Sequence, residues 1–434
     1  MSGPRMDPRD YTLQLRAAIR RYLPWRGLAL IDTGRWSDRL LVTAVLLMAF
    51  SSLGTLSDRF AEARAAVIKM YPSRRRPGTS YGGFIKQLRT HSTRLLDLLV
   101  QHLRQRLVQN AGIHWKVGRF LAFGVDGTKA DAPRTRANQK HLKIGGKRKS
   151  GPQQLLVTVM HVGTGLPWSW RCGEAIASER GLLLAQLGDL PAGALLLMDA
   201  GFTGYAFLTT LLAAGHDVLV RAGANCTLLQ KLGWVLEERG DLVYVWPALA
   251  QQEGGDPLVL RRIMVVDGRN RRMCLLTSLD AAALSVAEAV VLYRRRWGIE
   301  VFFRGLKQTL GRRKMLSDAP ANAQVELDWT LAGYWLLGLL LWEGRRQAAP
   351  VTCGIAQALR LVRQALAGRG DKRSSFAADW SRLTVDRYRR RRPKAARNWS
   401  HKKNEPPCGI PELRMATTLE VRRAKRLTCL RAAA

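Results

Sequence analysis

The chain has 434 residues, 47% hydrophobic and 24% charged, which is too long for most single compact domains and too apolar for wholesale disorder. Lys and Arg number 70 against 33 Asp and Glu, a net charge of +37. A compact body so charged repels itself unless an anionic partner neutralises it; nucleic acid is the leading candidate, ahead of a ribosome-associated or membrane-surface role.

Residues 1–115 read as a helical N-terminal domain suited to DNA binding. Apolar residues recur at helical spacing over 11–22, 40–60 and 88–107. Between the second and third runs, residues 71–83 break the pattern with Pro72, Pro77 and Gly78 and carry Arg74, Arg75 and Arg76.

From 116 to 222 the pattern becomes that of an α/β mixed sheet. Residues 119–125 form a short apolar run ending in Asp126-Gly127. Strand-like runs follow at 154–161 and 167–172, separated by Gly163-Thr164-Gly165. A helix is predicted over 174–187, a buried strand over 194–198, a helix over 203–214 and a strand over 216–221. The first three strands have short connections and should be antiparallel; the later ones need crossovers and should be parallel.

Residues 223–282 read as a β-rich insertion. Strands are predicted at 242–246, 258–266 and 273–278, with Asp267-Gly268 as a hairpin turn. Helices follow over 286–310, 323–345 and 355–367, within a segment spanning 283–368. The remainder, 369–434, is a basic tail with nine Lys or Arg and no acid between Arg387 and Lys403, expected to be disordered or ordered by DNA. The apolar runs 40–50 and 329–342 are 11 and 14 residues long, short of the ~20 needed to span a bilayer. No secretory signal is visible, and the six cysteines are scattered without metal-site or disulfide spacing. A soluble, cytoplasmic protein with no membrane partner is expected.

Three acids stand out by position. Asp126 is read as closing the first strand of the sheet, Asp199 as closing the fourth, and Glu300 as lying mid-helix. If the first and fourth strands are neighbours and the helix crosses their ends, the three carboxylates converge. Taken singly, each has a bland reading: Asp-Gly is a common turn, and an acid among arginines is commonly a surface ion pair. Together they suit Mg²⁺, a hard ion that prefers oxygen ligands. The segment 293–307 strengthens the case. Tyr293, Arg296, Glu300 and Lys307 fit Y-x2-R-x3-E-x6-K and would share one face of a helix, cations for phosphate oxygens flanking an acid for metal.

This signature resembles that of the IS-four group of insertion-sequence DDE transposases, complete at its four defining positions. Asp126-Gly-Thr-Lys and Asp199-Ala-Gly-Phe resemble the strand ends that carry that family's first and second catalytic Asp. The spacings, 73 and 101 residues, leave room for the family's β-rich insertion. The resemblance covers about 115–345. It implies an RNase H-like fold, with Asp126, Asp199 and Glu300 as catalytic metal ligands for Mg²⁺, or Mn²⁺ as substitute. It also implies cut-and-paste transposition: a nick at the transposon end, attack of the 3′-hydroxyl on the opposite strand to form a hairpin, reopening, and joining to target DNA. The partners would be inverted-repeat end DNA, target DNA and a second copy of the chain, in the bacterial cytoplasm at the nucleoid. Tyr293, Arg296 and Lys307 would grip phosphates and a flipped nucleotide, and Trp297 matches an aromatic common within the signature. Trp246, with Trp234 behind it, is the candidate for stacking the flipped base, and Arg221 for contacting DNA. Two other readings remain: a domesticated, inactive transposase that only binds DNA, and an RNase H-fold nuclease.

Overall fold

The computed structural model describes residues 10–24, 35–74, 76–145, 151–224, 233–235, 241–266, 272–343, 354–369 and 374–383, with short pieces between 410 and 426. The Asp267-Gly268 turn and the basic run 387–403 lie outside the described residues.

Four helices come first: α1 (Tyr11–Arg20), α2 (Asp38–Phe50), α3 (Leu56–Met70) and α4 (Tyr81–Ala111). The apolar run 40–60 is therefore two helices. Ser51 turns to extended backbone and ends the first, and Thr55 caps the second by accepting the Asp58 N–H. Next come β1 (Ala122–Asp131), α5 (Arg136–Leu142), β2 (Gln153–His161), β3 (Leu166–Glu174), α6 (Glu179–Leu184), β4 (Leu195–Met198), α7 (Tyr205–Ala213) and β5 (Asp217–Ala222). Then follow β6 (Gly233–Val235), β7 (Leu242–Val245), α8 (Ala248–Gln252), β8 (Leu258–Val266) and β9 (Arg272–Thr277). The last elements are α9 (Val286–Arg295), α10 (Gly298–Arg304), α11 (Pro320–Glu343), α12 (Ile355–Leu366), α13 (Phe376–Ser381) and β10 (Arg414–Met415).

Among the described residues, ten strands form one sheet, in the order β10-β6-β7-β8-β9-β5-β4-β1-β2-β3. β1, β2 and β3 are antiparallel neighbours, and β4 and β5 run parallel to β1, as the connection lengths predict. This is the RNase H-like mixed sheet. The strands of the expected insertion extend that same sheet, because β9 pairs antiparallel with β5. The turn at Gly165 has φ 68°, a backbone position that glycine takes without strain.

Other expectations about elements are corrected. β1 does not stop at Asp126 but runs on through polar residues to Asp131, paired with β2 along its whole length. The helix expected over 174–187 is reduced to α6, because β3 takes residues up to Glu174.

The helices and the sheet share one apolar core that includes Leu47, Leu99, Phe123, Leu196 and Trp335. α11 lies between α4 and the sheet. Trp329 donates its indole N–H to Ser92 Oγ at 2.9 Å, and Trp342 donates to the Asn110 carbonyl at 2.9 Å. A second tie runs through two arginines. The buried Arg312 guanidinium donates to the Met48 and Ala49 carbonyls at the C-terminus of α2, to Thr330 and to the Leu310 carbonyl. Arg363 adds a bond to the Phe50 carbonyl. Cations at a helix C-terminus meet its unpaired carbonyls and the negative end of its dipole, so both arginines fasten α2 to the later part of the chain. Among the described residues no helix is long and apolar enough to cross a membrane.

Candidate active site

β1 and β4 lie side by side, but β4 ends at Met198 while β1 continues. The missing neighbour leaves an open edge beside Asp126. Asp199 follows β4 directly and turns the chain, its Oδ1 accepting the Gly201 N–H at 2.9 Å. Asp126 Oδ1 accepts the N–H of Gly127 at 2.8 Å.

The third acid arrives from the helical segment after β9. A capping box starts it: Ser285 Oγ accepts the Glu288 N–H, and the Glu288 carboxylate accepts the Ser285 N–H. The segment is not the continuous helix expected over 286–310. It breaks between Arg295 and Gly298, where the N–H groups of Arg296, Trp297, Ile299 and Glu300 bond three residues back rather than four. The break lets the segment sit close to the sheet. A Cβ on Gly298 would stand 3.0 Å from the Met160 side chain, and one on Gly124 would stand 3.9 Å from the Arg296 backbone. After α10, residues Gly305–Thr309 widen into a π turn, closed by the Leu310 N–H on the Gly305 carbonyl.

Arg296 links the acids. Its Nη1 lies 3.6 Å from Asp126 Oδ2 and its Nη2 lies 3.4 Å from Glu300 Oε1. Burial, and next the neighbouring Asp199 charge, push the Asp126 carboxyl up to about 6, against the pull of Arg296. Glu300 is raised by burial, opposed by Arg296 and reinforced by Asp199. Asp126 and Glu300 thus share one guanidinium, and Asp199 stands within electrostatic reach of both. Among the described residues no three acidic, imidazole or thiol side chains are gathered tightly enough to enclose an ion. The donor set nevertheless suits a hard divalent cation: only carboxylate oxygens, and more negative charge than Arg296 alone offsets.

The other predicted residues are placed unequally. Tyr293 is buried against the site, with the Arg296 guanidinium over its ring at 5.7 Å; burial raises its hydroxyl, and Arg296 and Arg221 oppose the shift. Arg221 lies within β5, not after it, and close enough to act on Tyr293. Trp297 is 60% exposed beside the acids' cation. Lys307 sits in the π turn, half-buried, with Asp131 and Arg313 as its charged neighbours. It therefore lies further along β1 than Arg296, and the four signature residues do not share one helical face. Trp246 is corrected: it is 2% exposed and donates its indole N–H to the Gly255 carbonyl at 2.7 Å, so it belongs to the core rather than to a surface that could stack a base. The Trp234 backbone lies in β6, and its side chain is outside the described residues.

One acid went unnoticed in the sequence. Glu179, at the start of α6, lays its carboxylate against Gly127, where a Cβ would collide with Oε1. Burial raises its carboxyl, Asp199 adds to the shift and Lys129 opposes it. No sequence signal marked it, because its approach to Gly127 is set by the fold.

A mixed sheet that sets a carboxylate within β1 beside one just after β4, with a third acid on a later helix, is an arrangement of the RNase H-like class of fold. Comparison with known proteins is specific. The family described as Transposase DDE domain matches residues 121–336, and the chain belongs to that family. It is 29% identical over 245 residues to transposase InsG for insertion sequence element IS4 of Escherichia coli K12, covering 52% of each chain. It is 30% identical over 162 residues to the putative transposase y4zB of Sinorhizobium fredii, covering 35% of this chain and 45% of that one. The chain thus spans about half the length of the curated relatives it matches. A solved piggyBac transposase synaptic complex with hairpin DNA aligns over 96% of this chain and 89% of that chain, with a TM-score of 0.41 and 11% identity.

Proposed function

We propose that the protein is a DNA transposase that cleaves transposon ends and joins them to target DNA. The observation that supports this reading is the pairing of Asp126 and Glu300 with one guanidinium, Arg296, with the Asp199 charge acting on both acids, in a chain of the transposase DDE-domain family.

Asp126, Asp199 and Glu300 would hold Mg²⁺, or Mn²⁺ in its place. Such ions supply Lewis acidity at both the entering and the leaving oxygen of an in-line displacement at phosphorus. The protein's own residues bind and orient. Arg296, Arg221 and Lys307 meet phosphate oxygens along a track beside β1, where a guanidinium offers a two-pronged donor and an ammonium a point charge. Trp297, exposed next to Arg296, would stack an unpaired base at the cleaved end. Hairpin formation requires such an unstacked end, since a 3′-hydroxyl cannot reach the opposite strand of a straight duplex. In the first step water attacks phosphorus, forming one P–O bond as the bond to the 3′-oxygen breaks, which leaves a 5′-phosphate and a free 3′-hydroxyl. Hairpin formation and target joining exchange one phosphodiester for another, a second water reopens the hairpin, and no step needs an external energy source. Pairing two ends calls for two copies of the chain.

Labelled DNA fragments from either side of the reading frame test this. Incubated with Mg²⁺ or Mn²⁺, they should acquire nicks and then hairpins at one defined position. Glu300→Ala should leave them intact while still binding them. Specific binding without cleavage by the wild type would favour a domesticated DNA-binding protein.

A further inference from the structure

Arg296 occupies the space between two carboxylates that the proposed function gives to a metal ion. Both of its contacts, 3.6 and 3.4 Å, are too long for strong hydrogen bonds. Nη1 is buried and, among the described residues, has no hydrogen-bond partner. A buried guanidinium that is neutralised but poorly bonded is held by charge rather than by fit. The groups around it are Asp126, Glu300 and, at longer range, Asp199, with Tyr293 beneath it and Arg221 and Arg304 nearby.

We propose that Arg296 is an internal substitute for the divalent cation in the DNA-free protein, and that DNA phosphate draws it out of the acidic cluster. This rests on the metal-centre reading above and adds its regulation. A guanidinium and a divalent ion cannot both lie between Asp126 and Glu300, so each lowers the other's occupancy. Phosphate offers Arg296 the paired oxygens that the separated carboxylates do not, and its departure leaves the acids unpaired and strongly cation-seeking. Metal and DNA then bind cooperatively, and linkage requires the effect to be equal in both directions. The free protein would hold its metal weakly and become armed for cleavage only on DNA.

Mn²⁺ binding to the metal-stripped full chain, followed by the electron paramagnetic resonance signal of free Mn²⁺, tests the idea without reference to activity. Arg296→Gln should bind Mn²⁺ about tenfold more tightly than wild type, as expected for loss of one cation at close range. Arg296→Lys, which keeps the charge, should stay near wild type, and Asp126→Asn should lose the site. Adding a short duplex from the flanking DNA should tighten Mn²⁺ binding to wild type and change Arg296→Gln little. If Arg296→Gln does not fold, the duplex arm decides: no tightening in wild type overturns the proposal. Unchanged or weaker binding by a folded Arg296→Gln also overturns it. If Asp126→Asn leaves Mn²⁺ binding intact, the metal-centre reading itself fails and takes this inference with it.

Discussion

Glu179 and Asp199 reach the same point from two different elements. A Cβ placed on Gly201 would stand 3.1 Å from Asp199 Oδ1 and 3.9 Å from Glu179 Oε2. Gly127 makes room for the other oxygen of Glu179. Gly127→Ala should therefore push the Glu179 side chain aside, which a flexible carboxylate allows at modest cost. Chemical denaturation should show a loss of about 1 kcal/mol, shrinking in a Glu179→Ala background. Equal losses in both backgrounds would mean that the two residues do not meet.

Asp126 sets a pH dependence of stability. Its carboxyl is raised to about 6 in the fold, above its ordinary value of 3.8. A raised acid stabilises the folded state at low pH, and that contribution is lost as pH rises from about 4 through about 6. Metal-free Asp126→Asn should therefore be more stable than wild type at pH 7.5, by about 2 kcal/mol. The difference should vanish near pH 4. Thermal melts of both proteins across this range check it, and an advantage that grows toward acid would have the wrong sign.

Trp246 and Trp297 should separate stability from DNA handling. Trp246→Ala empties a core site and removes a hydrogen bond to the Gly255 carbonyl, so a loss of about 3–5 kcal/mol is expected. Trp297→Ala should leave the melting temperature within a degree or two and weaken or misplace hairpin formation. Equal melting temperatures for both variants would contradict the burial of Trp246.

Arg312→Ala should destabilise the protein by about 3 kcal/mol, because it strands the Met48 and Ala49 carbonyls in the core. Arg312→Lys should rescue only part of this, since one ammonium cannot reproduce the fork. Urea unfolding curves of the three proteins give the comparison.

The order of β1 to β5 was legible because their apolar runs are short, continuous and bounded by turn residues. Their connection lengths also allow little choice of direction. The second half of β1 was hidden because residues 127–131, GTKAD, look like a loop: they are polar where the strand leaves the core and forms the rim of the site. The break at Arg296 was hidden because its cause is tertiary. Gly298 reads as a weak helix residue until Met160 is seen against it. Spacing and resemblance singled out Asp126, Asp199, Glu300, Arg296 and Tyr293, which the fold brings near one another. They did not single out Glu179, since an acid after Ser178 looks like an ordinary helix start. Trp246 misled because an aromatic at a strand end carries no mark of which way it faces; it follows β7 directly and faces inward.

The unbroken sheet also governs how the chain can be made. β5 is flanked by β4 and by β9, and β9 is translated about 50 residues later. Until then the growing chain carries β5 with one side unsatisfied, a row of free backbone donors and acceptors on a strongly apolar strand. A ribosome stalled within residues 223–271 would thus release a sticky intermediate, prone to pair with its own copies. The strands that widen the sheet act as a seal, and truncated products lacking β9 should appear in the insoluble fraction.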